Sequence, residues 1–377
     1  MLAEAEALVS EGRAQDALAV ALRALGVARR GAGPDATSTT TTALPALGLL
    51  AAIYLELGDA GTARGYFLQA VSLDPDGRVP ASEGGGAEKF LWLAQLSESG
   101  GADSVAWFER GAAVLRREMI VGAGSDGGRE EQRRKLAGAL CAIVEVYMTD
   151  LSWDGAAETR CEALVAEALR VAPWCAEPLQ TLASVRISQG RVGEAREALG
   201  GSLALWRDGG NGDEAVPEFA VRISLARLLM EVGMEEEALG VVERLVLEDD
   251  GCVEAWYLGG WCLYLLGGKQ RRGGEGGDGV DGVEGMEGVD GEEEDDEDLY
   301  IQSMVGSREW LRQSLKLYEL AEYEDERLRD HARELVEEID EAIGEGEEDE
   351  VDGGEDEWNG FGEESEEEQE DEEMDGG

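Results

Sequence analysis

Three observations predict an all-α fold, drawn out as a superhelical solenoid, for this 377-residue chain. First, a small residue is followed by glycine seven positions on and by alanine twelve positions on at Ala5/Gly12/Ala17, Ala51/Gly58/Ala63, Ala94/Gly101/Ala106, Ala183/Gly190/Ala195 and Ala226/Gly233/Ala238. Second, apolar residues recur between these marks at helical spacing, and few β-branched runs compete with them. Third, such units follow one another along most of the chain. One unit cannot bury its apolar face alone, so neighbours must stack into a continuous array.

The stretch from Leu47 to Pro75 displays one unit complete. Ala51 and Tyr54 share a helical face, Gly58 makes the turn, Ala63, Phe67 and Ala70 line the return helix, and Pro75 closes it. That is the tetratricopeptide (TPR) pattern. Small side chains at Ala51 and Ala63 let two antiparallel helices approach, and Gly58 ends the first helix in a conformation that a β-carbon makes costly. Ala3 to Leu25 forms the first unit, followed by a flexible connection over 31–42 with Pro34 and a Ser/Thr run, read as a linker. Loops at Asp76–Gly86 and Gly122–Gly128 bracket the third unit, Ala87 to Leu115. Units four to six run from about Gln132 to Asp250, with the Gly209–Gly212 turn between the fifth and sixth. The fourth, Leu140 to Pro173, places Cys161, Val165 and Ala168 on its second helix and has about five extra residues in its turn. Pro178 falls near a helix start, where a missing N–H costs little. The seventh opens at Gly260/Gly267 and resumes in a second helix, Ser307 to Tyr318, carrying Leu311, Ser314, Leu315 and Leu317. A last helix, Asp325 to Ile343, has apolar Leu328, Ala332, Leu335, Val336, Ile339, Ala342 and Ile343 at helical spacing and charges on the opposite face, as a capping helix requires. The count is about seven repeats and a cap.

Net charge is −52 and uneven. Gly273 to Asp298 holds thirteen acids and no Lys or Arg, and Gly344 to Gly377 holds nineteen acids and again none. Neither run can form a core. The expected organisation is repeats one to six with the first helix of repeat seven over 1–272 and a disordered Gly/acidic insertion over 273–298. The second helix of repeat seven and the cap follow over 299–343, and a disordered acidic tail over 344–377. The rest of the chain keeps a charge of −20, a surface that repels a phosphate backbone. Direct nucleic-acid binding is not expected, whereas a basic protein partner is. Five cysteines, Cys141, Cys161, Cys175, Cys252 and Cys262, are odd in number and unpaired in spacing, which favours a reducing compartment. No signal peptide precedes the first helix and no run approaches the roughly 18 to 20 apolar residues of a membrane span. A soluble intracellular monomer without a membrane partner is the expectation.

Material for catalysis is scarce. His331 is the only histidine and lies on the capping helix, so histidine triads and zinc-peptidase motifs have nothing to work with. No cysteine pair has ligand spacing. Gly274 to Gly279 matches a Gly-x-Gly-x-x-Gly string, but it follows no strand and its acids would repel a pyrophosphate. Neither a catalytic residue nor a cofactor or metal site is expected.

The informative surface is the inner groove, which the first helix of each TPR lines. Positions one and four after each unit's small residue, and three and six before it, should face inward. That register gives Glu98, Glu145, Glu177 and Glu254, with Gln95, Tyr257, Trp261 and Tyr264, and Glu231, one step past the inward position of its unit, is counted with them. An acidic, aromatic groove suits an Arg/Lys-rich extended peptide through ion pairing and cation–π stacking. The clamp by which other TPR modules hold a C-terminal carboxylate needs inward Lys, Arg and Asn. This chain has only Asn211, Asn359 and four lysines, so that reading is poor.

Four features together resemble the fungal assembly chaperones of ribosomal large-subunit protein four. They are the seven TPR units, the Ala255-Trp256-Tyr257-Leu258-Gly259-Gly260-Trp261 helix, the Ser307 to Glu319 segment with Trp310 and Leu317, and Glu357-Trp358-Asn359-Gly360 in the acidic tail. The resemblance spans nearly the whole chain. It implies a dedicated escort, not an enzyme, that captures the extended internal loop of a newly made basic ribosomal protein. It also implies travel from cytoplasm to nucleus for ribosome assembly, with a nuclear import receptor as a further partner. Two other readings fit the same charge: a histone chaperone, since one such TPR family also interrupts a repeat with an acidic segment, and a scaffold joining neutral partners in a multiprotein complex.

Overall fold

The computed structural model describes residues 1–31, 36–121, 126–209, 215–275 and 292–344. Among them, fifteen α-helices and one 3-10 turn at Ala81–Glu83 fall into seven consecutive pairs and a cap. The pairs are α1 (Leu2–Ser10) with α2 (Ala14–Gly31), α3 (Ala36–Glu56) with α4 (Ala60–Leu73), and α5 (Glu88–Gln95) with α6 (Gly101–Val121). Then come α7 (Asp126–Met148) with α8 (Ala157–Val171), α9 (Glu177–Ser188) with α10 (Val192–Ala204), and α11 (Phe219–Glu231) with α12 (Glu235–Glu248). Last are α13 (Val253–Glu275) with α14 (Glu292–Leu320), and α15 (Glu326–Ile343). Each helix packs on the next, and first helices also meet directly, α7 on α9, α9 on α11, α11 on α13 and α13 on α15. Such direct stacking of first helices builds the inner side of a superhelix. No helix among the described residues is long and apolar enough to cross a membrane.

The repeat marks explain the pairing. Gly12, Gly58, Gly190 and Gly233 turn the chain with φ between +71° and +77°, and Ala51, Ala63, Ala183, Ala195, Ala226 and Ala238 are 0% exposed between the helices they join. Repeat three departs from the metric. Ala106 is exposed, and Ser104 takes the contact, its hydroxyl donating to the Ala94 carbonyl at 2.8 Å. The reason lies in the turn. Asp150, in the long fourth turn, accepts from the Gly101 N–H at 2.8 Å and starts α6 at Gly101 itself, so the facing position arrives two residues early.

Repeat seven is joined more tightly than the others. A β-carbon on Gly259 would lie 2.1 Å from the Trp310 ring, and one on Gly260 2.6 Å from Leu311 Cγ. The fully buried Ser307 and Ser314 donate to the carbonyls of Gly260 (2.7 Å) and Val253 (2.9 Å). Several helices run beyond their expected ends. The Ser/Thr run over 36–42 opens α3 instead of forming a linker, and α7 starts at Asp126 inside the loop expected over 122–128. The second helix of repeat seven begins at Glu292, well before Ser307, and α13 continues to Glu275. Both therefore enter the segment expected to be non-helical over 273–298. Acids from Glu292 onward sit at an N-terminus, where the helix dipole favours them. The remainder of that segment, 276–291, the tail from 345 and most of the Gly209–Gly212 turn lie outside the described residues.

Candidate functional site

Two cavities open against the first helices among the described residues, and the sequence-predicted residues divide between and around them. The first, about 670 Å³, opens between α7, the turn into α9 and the segment 215–218 that leads into α11. Trp174, Glu177, Val216, Pro217 and Glu218 form part of its wall, with Glu130, Glu131, Arg134 and Lys135 opposite. Lys135 is occupied by Glu88 and by Glu131 at 3.6 Å. Glu177 reaches over α7 at Gly138, where even a β-carbon would stand 3.7 Å from its carboxylate. Burial pushes the pKa of Glu177 up, and Glu145 and Glu218 push it further. Burial also raises Glu145, with no cation to offset it. Its side chain is solvent-accessible, and the protein around it thins the water near the charge.

The second cavity, about 610 Å³, lies between α11, α13 and α15. Leu258, Leu265, Met230 and Leu328 give it an apolar floor, and Glu231, Tyr257 and Trp261 meet there. Tyr257 is only 9% exposed, so most of this predicted contact residue belongs to the core. Its hydroxyl and His331 Nδ1 are hydrogen-bonded at 2.7 Å, and burial pushes the phenol up to about 12. Trp261 lies 5.8 Å from the Tyr257 ring and 5.0 Å, edge-on, from His331. Glu254 sits beside this group and pairs with Arg227 at 2.6 Å. Burial raises the Glu254 pKa despite that pairing.

The other predicted residues stand apart. Tyr264 donates to the Glu338 carboxylate at 2.6 Å, which with burial raises its pKa to about 12 and ties α13 to α15. Gln95 and Glu98 are exposed at the end of α5, and Glu98 meets Arg64 only at 3.9 Å. The structure adds residues that periodicity does not reveal. Trp174 and Glu218 lie before helix starts, where no helical spacing operates. His331, Asp325 and Arg327 come from α15, which takes the place of the next first helix and so forms a wall of the groove as well as a cap. Arg227 was findable, since it holds the inward position one after Ala226.

No protein-family model matches the chain. A protein of Emericella nidulans described as "Probable assembly chaperone of rpl4" is 48% identical over 370 residues, 96% of this chain and 88% of that protein. Its namesake in Schizosaccharomyces pombe is 34% identical over 290 residues, 77% of this chain and 78% of that protein. A solved structure of residues 1–338 of an assembly chaperone of RpL4 (Acl4) is 50% identical and superimposes with a TM-score of 0.65. It covers 72% of this chain and 97% of that one. Repeat architecture and identity over most of both relatives agree, and the chain belongs to the family of assembly chaperones of rpl4.

Proposed function

We propose that this chain is a non-catalytic chaperone dedicated to rpl4, holding an extended basic segment of that newly made ribosomal protein along the inner face of the array until ribosome assembly. The observation that carries the reading is the Glu145–Glu177 pair on the neighbouring helices α7 and α9: Glu177 lines the first cavity, both carboxylates have a raised pKa, and no cation offsets either. A client guanidinium or ammonium supplies what they lack. A client with an internal loop, a single chaperone copy, an import receptor that carries the complex from cytoplasm to nucleus, and release there complete the proposal.

The test is calorimetric titration of the full chain with rpl4 in buffers of differing ionisation heat. In the free chain the two carboxylates keep protons at a pH where ordinary glutamates have lost them, and a bound cation restores the ionised form. Binding should therefore release protons just above the usual carboxylate range, and affinity should rise with pH through that window. The Glu145→Gln/Glu177→Gln chain should lose the release. Equal affinity and equal proton balance for both proteins would place the client elsewhere. Recovery of histones, or of a neutral complex without rpl4, by the wild-type chain from a lysate would replace the client altogether.

A further inference from the structure

The cavity between α11, α13 and α15 differs from the acidic stretch around Glu177, because its walls are rings as well as carboxylates. Trp261 is fixed from two sides, by Tyr257 at 5.8 Å and by His331 edge-on at 5.0 Å, and Tyr257 is itself tied to His331 at 2.7 Å. These ring contacts favour one orientation of the indole. Glu231 lies exposed at the rim, and Asp325 flanks it from the start of α15, its carboxylate accepting from the Leu328 N–H at 3.2 Å. Of the two arginines present, Arg227 is drawn to Glu254 at 2.6 Å. Glu254 is outside the lining and takes up Arg227, so the two carboxylates that line the cavity, Glu231 and Asp325, face only Arg327, and the site has room for one more cation.

We propose that this cavity reads a single arginine side chain of the client, stacked on the Trp261 indole and paired with Glu231, with α15 as a binding wall through His331. The proposal rests on the reading of the inner face as the client groove and names one of its contacts. Arginine fits better than lysine because a planar guanidinium can stack on the ring and still present an edge to a carboxylate, whereas an ammonium is a compact, strongly hydrated charge. An acidic occupant would set its charge against Glu231 and Asp325. His331 acts as a positioning residue, since it touches the rings and not the floor of the site.

The experiment is affinity measurement of the full chain against full-length rpl4 whose arginines are changed one at a time to lysine. Glu231→Gln and Trp261→Leu should each weaken wild-type client roughly tenfold, and one particular client arginine should account for both losses. Against the client lacking that arginine, the two substitutions should change affinity less than about twofold. His331→Leu, which fills the space but cannot hold Tyr257, should reduce the contribution of the same arginine. Thermal melts identify any variant that loses its fold, and Glu231→Gln, at an exposed position, then carries the test alone. Losses spread equally over all client variants, or no loss with Glu231→Gln, would overturn the assignment. Glu145→Lys with Glu177→Lys separates the two ideas. If that pair weakens binding while Glu231→Gln and Trp261→Leu do not, only the arginine site fails; if neither set has an effect, the groove itself is not the client site.

Discussion

Asp74 and Lys89 are each 4% exposed and meet at 2.8 Å between the end of α4 and the start of α5. Asp74 also accepts from the Arg78 N–H at 2.8 Å, and Lys89 donates to the Gly86 carbonyl at 2.9 Å, so one ion pair pins both ends of the loop over 75–87. Burial pulls the Lys89 pKa down, and Asp74 opposes that pull. Removing one partner strands the other charge. Asp74→Ala is expected to cost about 3–5 kcal/mol in denaturant unfolding, and the paired Asp74→Asn/Lys89→Met chain should recover most of it. Equal losses in the single and paired variants would show that loop contacts, and not charge, set the cost. Nothing in the sequence announces this pair, because Asp76–Gly86 reads as an ordinary loop and a contact made once leaves no periodic trace. Ala51 and Ala63 are legible for the opposite reason: close approach of two helices demands a small residue at the same step in each unit. Ala106 shows the limit of the metric. It has the right spacing, but Asp150 starts its helix early and hands the contact to Ser104.

At the scale of helices, the α13–α14 pair depends on absent side chains. Gly259 and Gly260 let Trp310 and Leu311 lie against the α13 backbone, and the hydroxyls of Ser307 and Ser314 bond to carbonyls across the seam. Gly259→Ala would put a methyl group 2.1 Å from the indole of Trp310, which is 4% exposed and has nowhere to retreat. Overpacking of this kind costs about 1–3 kcal/mol. Thermal unfolding should therefore fall clearly below that of Gly240→Ala, where nothing lies within 4 Å of the added carbon and helix propensity improves. Similar melting temperatures for the two would mean that α14 can slide away from α13. Spacing alone marks Gly260 and Gly267 as a repeat, and the buried face of α15 as a cap. What it misses is that α15 also faces the groove. The apolar side of α15 repeats and can be read, but His331 and Asp325 act through single contacts with Trp261, Tyr257 and the helix N-terminus.

Across the whole molecule, two kinds of acid act at different ranges. Thirteen acids in the 273–298 segment and nineteen in the tail carry most of the net charge of −52. Charge of that sort draws a basic client inward over a screening length of about 8 to 10 Å at physiological salt. Glu177 is partly buried in the first cavity and Glu145 stands close enough to raise its pKa, so a cation that reaches this pair is held at close quarters. Long-range attraction governs encounter, and desolvated contact governs escape. Deleting 276–291, or truncating after Gly344 so that the Arg308 bond to the Gly344 carbonyl at 2.9 Å survives, should slow association several-fold and leave dissociation nearly unchanged. Glu145→Lys with Glu177→Lys should speed dissociation at least tenfold, an effect that persists in moderate salt because the contacts are short and poorly screened. Stopped-flow binding at several salt concentrations distinguishes the two. Should the groove substitutions alter only the association rate, with the same salt dependence as the deletions, the inner face would be one more part of a diffuse negative field and not a surface that holds the client.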